Sequence, residues 1–89
     1  MHIYLLDGKD MISRKEAFRV IGATMAFPDW FGGNLDALAD CLGELSKDVA
    51  IVFCNTAILE ENLGDYAGKI LRCFTDLSSE VGFTFIQKR

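Results

Sequence analysis

Val49-Ala50-Ile51-Val52-Phe53-Cys54 is the longest unbroken run of apolar residues in the chain, and its reading decides the fold class. Six β-prone positions without alternation do not describe a strand with one wet face. They describe a strand buried on both faces, as the inner strands of parallel sheets are. Working outward, two further strands are predicted at the ends of the chain. His2 to Leu6 is short, apolar and closed by the turn pair Asp7-Gly8, and Phe83 to Ile86 follows a glycine.

The intervals between these strands carry helical spacing. Ser13-Arg14-Lys15-Glu16 has the S-x-x-E pattern of a capping box, and Phe18, Ile21 and Met25 recur on one helical face. That helix is expected to stop near Ala26, because Pro28 disfavours helical geometry in the residue before it. Gly32-Gly33 breaks the chain, and Asn34 is an N-cap for a helix to about Gly43. A short helix is expected over Thr56 to Glu61. A longer one carries Tyr66, Ile70, Phe74, Leu77 and Val81 and ends at Gly82. The order β-α-α-β-α-α-β separates every strand from the next by helices, which requires parallel strands in a small layered α/β domain.

With 89 residues, residues 1–89 are expected to form one domain with one core. A hydrophobic fraction of 51% with a single proline excludes a disordered or low-complexity chain. Cys41, Cys54 and Cys73 are odd in number and contain no C-x-x-C pair, so they read as reduced structural thiols and no metal site is expected. The amino terminus shows no signal-peptide pattern and no apolar run spans a bilayer, so a soluble cytoplasmic protein is expected. Catalysis has little support. His2 is the one histidine and stands at the terminus, no phosphate-cradling glycine motif is present, and no cofactor is implied.

Charge is the informative property. Thirteen acidic residues against nine basic give a net charge of −4, which rules out a binder that relies on neutralising nucleic-acid phosphates. The excess is local: residues 34–80 hold nine acidic residues and three cations, whereas the first thirty-three residues balance. On a helix starting after Asn34, Leu35, Leu38, Leu42 and Leu45 fall on one side, and Asp36, Asp40 and Glu44 on the opposite side. Like charges at i, i+4 repel, and Glu44 near the helix C-terminus also opposes the helix dipole. A solvated face usually mixes in cations, yet no Lys or Arg occurs between Asp29 and Glu44, which suits a basic partner. Just upstream, Phe27-Pro28-Asp29-Trp30-Phe31 puts three aromatics in a loop. Some must enter the core, and Trp30 is the candidate to stay exposed as an apolar anchor beside the acidic face.

The stretch Phe27-Pro28-Asp29-Trp30-Phe31-Gly32-Gly33-Asn34-Leu35-Asp36-Ala37-Leu38-Ala39-Asp40-Cys41-Leu42 resembles the loop and second helix of the barstar family of intracellular ribonuclease inhibitors. The resemblance is close over these sixteen positions and weaker outside them, although length and element order agree along the whole chain. It implies a three-stranded parallel sheet packed with about four helices. It also implies that loop and helix block the active site of a small basic, barnase-like ribonuclease, with acidic side chains in place of RNA phosphates. On that resemblance Asp40 matches the aspartate that enters the phosphate site, Asp36 a second interface aspartate, and Trp30 an interface tyrosine. Gly32 and Asn34 match the tight loop, and Asp76 matches an interface glutamate one methylene longer. Ala39 stands where the family has an interface tryptophan, and Glu44 where it has a glycine. The free protein is expected to be a monomer that binds neither nucleic acid nor membrane. Two other readings stay open: an adaptor or oligomerisation module that offers the acidic face to another basic protein, and a hydrolase built on the carboxylates.

Overall fold

A computed structural model describes residues 1–89 and contains three strands and four α-helices in the expected order. Strand β1 covers His2–Asp7, α1 Arg14–Thr24, α2 Leu35–Leu42, β2 Val49–Cys54, α3 Thr56–Leu63, α4 Asp65–Val81 and β3 Thr84–Gln87. The sheet is parallel with order β1-β2-β3, so the apolar run 49–54 is the middle strand. Its register pairs Ile3 with Ala50, Leu5 with Val52, Ala50 with Thr84 and Val52 with Ile86.

The core lies between one face of this sheet and the helices. Leu6, Ile51, Phe53 and Phe83 meet Phe18 and Ile21 of α1, Leu38 and Leu42 of α2, and Ile70 and Phe74 of α4, all buried. The Phe74 ring packs edge-on to Phe53 with centroids 5.7 Å apart and stacks on Phe85 at 5.1 Å, fixing α4 over β2 and β3. The Arg14 guanidinium lies 4.0 Å from the centre of the Tyr66 ring and ties the start of α1 to α4. No helix is long and apolar enough to cross a membrane.

One expectation fails. β2 is not buried on both faces: Val52 and Cys54 are half-buried, and beside them Ile3 is 63%, Leu5 68% and Ile86 43% exposed. The cause is topological. Each crossover steps in the same direction along the sheet, from β1 to β2 and from β2 to β3. Parallel crossovers are right-handed, so two steps in one direction put both helix pairs on the same face. The smallest extent of the molecule, 18 Å between outlying Cα atoms, fits one helix layer on one sheet.

The element ends have local causes. Ser13 Oγ accepts from Glu16 N at 3.1 Å, but the Glu16 carboxylate turns to Arg19 instead of closing the capping box. Helix α1 stops at Thr24, two residues before the expected end. Phe27 N donates to Gly22 O and Ala26 N to Ala23 O, a Schellman closure with Ala26 in the left-handed region at φ 53°. Asp7-Gly8, read as a turn, opens a short 3-10 helix over Gly8–Asp10, with Asp7 Oδ1 accepting from Lys9 N at 2.9 Å. Asn55 Nδ2 also donates to Asp7 Oδ1 at 2.8 Å, and this contact before any other holds the Asp7 carboxyl below its usual range. Helix α3 runs two residues past its expected end, and β3 is shifted by one, leaving Phe83 buried just before it.

Candidate partner-binding face

The loop between α1 and α2 is built by its aromatics. Phe31 N donates to Pro28 O at 2.9 Å, closing a four-residue turn with Asp29 and Trp30 at its tip. Phe27 and Phe31 bracket the turn and lie partly buried, edge to face at 5.2 Å, and Phe31 also meets Phe18 of the core at 6.3 Å. Gly22 of α1 makes room for this, because a Cβ there would come within 3.0 Å of the Phe31 ring. Two of the three loop aromatics therefore enter the core while Trp30 stays 60% exposed, as its position beside the acidic helix suggested.

Gly33 then takes φ +66°, a conformation that side chains rarely adopt, and turns the chain into α2. The family resemblance places Gly32 and Asn34 in this tight loop, and the positive φ lies on Gly33 between them. Gly32 has no positive φ, and its place is marked by a close approach to the Asn34 side chain instead. Both glycines break the chain, and the unusual dihedral falls on the second of them. Asn34 performs the expected cap, its Oδ1 accepting from Ala37 N at 2.8 Å, while Leu38 N donates to Asn34 O.

Helix α2 divides as its spacing requires. Leu38, Cys41 and Leu42 are buried and Leu35 partly so, whereas Asp36 and Asp40 are exposed. Glu44 is exposed one turn past Asp40, in a continuing turn closed by Glu44 N to Cys41 O. Ala39 is half-buried on the helix flank. The two ion pairs of the fold, Arg19–Glu16 and Arg89–Glu60, both lie elsewhere. Asp36 and Asp40 thus stand exposed on α2 and Glu44 in the turn that follows it, with none of the three in an ion pair inside the molecule. Burial pushes the Cys41 thiol pKa up, and Glu44 and Asp40 push it further, so Cys41 is held as a neutral thiol beneath the acidic stripe.

Asp76 comes from a different element. It is exposed on α4, which packs against α2, with Leu77 next to Gly43 at the end of α2. Burial raises the Cys73 thiol pKa, with Asp76 adding to the effect. The structure thus brings Trp30, Gly32, Asn34, Asp36, Ala39, Asp40 and Glu44 together on one continuous segment, and Asp76 onto the neighbouring helix. His2 lies at the start of β1, stacked on Tyr4 at 6.3 Å. A shallow cleft of about 350 Å³ between α3 and α4 is lined by Glu60, Gly64, Asp65 and Gly68, apart from this face.

A family model described as Barstar (barnase inhibitor) matches residues 1–87. The chain is 30% identical over 82 residues to a Bacillus subtilis (strain 168) protein named "Putative ribonuclease inhibitor YrdF", the match covering 91% of this chain and 90% of the relative.

Proposed function

The chain belongs to the barstar family, and from that premise we propose that it is a reversible inhibitor of a small basic, barnase-like ribonuclease. It acts by occupancy, without chemistry of its own. The observation that carries this reading is that Asp36 and Asp40 on α2 and Glu44 in the turn after it stand exposed, with both ion pairs of the fold elsewhere. A nuclease active site holds cations spaced for the phosphates of RNA, and carboxylates on successive helical turns offer anions of comparable spacing on a rigid support. Asp40, at the centre of the stripe, enters the phosphate site, and Asp36 and Glu44 meet cations on either side. Trp30 supplies the apolar anchor, and Gly32, Gly33 and Asn34 fix its distance from the helix. The small Ala39 lets the partner approach the helix flank, and Asp76 on α4 widens the acidic surface. The family description and the name of the Bacillus relative support the same role.

Titration into a panel of guanyl-preferring ribonucleases with a fluorescent RNA substrate tests the reading. Stoichiometric loss of turnover is expected for at least one enzyme, and unchanged turnover across the panel overturns it. RNA alone should bind weakly, since the chain carries a net charge of −4.

A further inference from the structure

The turn that presents Trp30 meets α1 at a single residue from both of its sides. Gly22 O accepts from Phe27 N at 2.9 Å, and a Cβ on Gly22 would stand 3.0 Å from Cδ2 and 3.2 Å from Cε2 of Phe31. We propose that Gly22 is a positioning residue of the partner-binding face, and that the side chain it lacks sets where Trp30 stands relative to the carboxylates of α2.

The backbone of α1 does not require a glycine here. Gly22 lies inside the helix Arg14–Thr24, and the positive φ values among the glycines fall on Gly33, Gly64 and Gly82. In a helix glycine is a poorer choice than alanine, because it has more backbone freedom to lose on folding. Packing supplies the reason. Carbon atoms settle about 3.5–4.0 Å apart, so a methyl group at position 22 would push the Phe31 ring away by a few tenths of an ångström. The ring is already bracketed, edge-on to Phe27 at 5.2 Å and to the buried Phe18 at 6.3 Å. The displacement therefore passes to the Phe31 backbone, whose N donates to Pro28 O at 2.9 Å and closes the turn with Asp29 and Trp30 at its tip. Trp30 moves with its neighbour. Helix α2 keeps its own footing through the buried Leu38 and Leu42 and the Asn34 cap, so the spacing between anchor and carboxylates changes. An anchor held in place loses less freedom when a partner closes on it, so Gly22 acts on the lifetime of the complex and the α2 carboxylates on its rate of formation. The effect on binding rests on the inhibitory reading above, whereas the placement of Trp30 is a property of the free chain.

Trp30 is the one tryptophan of the chain, so its emission reports the anchor alone. Free Gly22→Ala, with folding checked by circular dichroism, should differ from the wild type in emission maximum and in acrylamide quenching. Against a ribonuclease that the wild type inhibits, its dissociation constant should rise at least about tenfold, carried by the off-rate, with the on-rate within about twofold. Gly68→Ala makes the same exchange inside α4, where a Cβ meets nothing within 4 Å, and should leave both emission and binding at wild-type values. If Gly22→Ala does not fold, Phe31→Leu removes the ring edge from the other side of the same contact and should give the same two changes. An unchanged Trp30 emission overturns the proposal, as does an affinity equal to the wild type, a loss carried by the on-rate, or an equal response in Gly68→Ala. If the wild type inhibits no enzyme of the panel, the inhibitory reading fails, and the emission of free Gly22→Ala still decides whether Gly22 places Trp30.

Discussion

Helices α1 and α2 begin with the same device, a polar side chain that accepts the N–H three residues on: Ser13 from Glu16 at 3.1 Å and Asn34 from Ala37 at 2.8 Å. Each then turns an apolar stripe into the shared core, Phe18 and Ile21 from one and Leu38 and Leu42 from the other. They part in their treatment of charge. On α1 the Glu16 carboxylate is held by Arg19, Nε at 2.8 Å and Nη2 at 2.7 Å, so its one acidic group is paired within the helix. On α2 the acidic residues recur at i, i+4 with no cation among them. Folding does not distinguish the two helices, since caps and apolar stripes suffice for both. The difference shows a surface charge pattern that stability does not require and that a cationic partner can use.

The contrast breaks most decisively at Asp40. If its carboxylate pairs with nuclease cations, Asp40→Ala should cost at least about 2–5 kcal/mol in binding, a range for which the barnase–barstar complex is itself a reference case. The isolated protein should be unchanged or stabilised by up to about 1 kcal/mol, because two i, i+4 repulsions are relieved and helix propensity rises. Glu16→Ala should leave binding untouched. Isothermal titration and urea unfolding on the same samples measure both quantities, and a marked loss of stability in Asp40→Ala would make it a structural residue. Next, an unpaired acidic face should steer association, so the on-rate should fall by roughly 10-fold or more between low and physiological salt. The same pair is a reference example of such steering, and a salt-independent stopped-flow rate would remove this role from α2.

The shared device should respond alike on both helices. Ser13→Ala and Asn34→Ala should each cost about 1 kcal/mol of stability, but only Asn34→Ala should also weaken nuclease binding, because the first turn of α2 carries Asp36. Equal binding for the two would mean that the capped end of α2 is not at the interface. Ala26→Gly should stabilise the fold by roughly 0.5–1 kcal/mol, since relief of the left-handed strain at φ 53° outweighs the extra freedom of the unfolded chain. Thermal and urea unfolding check this, and a destabilised variant would show that Ala26 is not strained.

The smallest effect concerns the ion pair of α1. The Arg19 side-chain hydrogen bond holds the Glu16 carboxyl below its ordinary value of 4.5. Its contribution is therefore present above about pH 4.5 and lost as the pH falls through the lower folded-state value. Arg19→Gln should flatten the stability profile slightly in that window, lowering stability a little at neutral pH and leaving it unchanged at the acid end, as unfolding midpoints between acid and neutral pH would show.

Local physics settled much of this molecule before any packing was known. The apolar run 49–54 marked the middle strand to the residue, Ser13 and Asn34 placed two helix starts, and Gly82, at φ 103°, closed α4. These features depend on a residue's own dihedrals and near neighbours in the chain, which composition and spacing encode. The division of α2 into an acidic and an apolar side was legible for the same reason. Tertiary structure decided what lies against each face. Periodicity tells which side chains share a face of a strand but not whether anything covers it, so the run 49–54 read as buried twice over while Val52 is only partly covered. That outcome was fixed by two same-handed crossovers stepping the same way along the sheet. It was also tertiary packing, the docking of Phe27 and Phe31, that left Trp30 outside. The neighbours that hold these residues lie on other elements, and a linear pattern does not record which elements will meet.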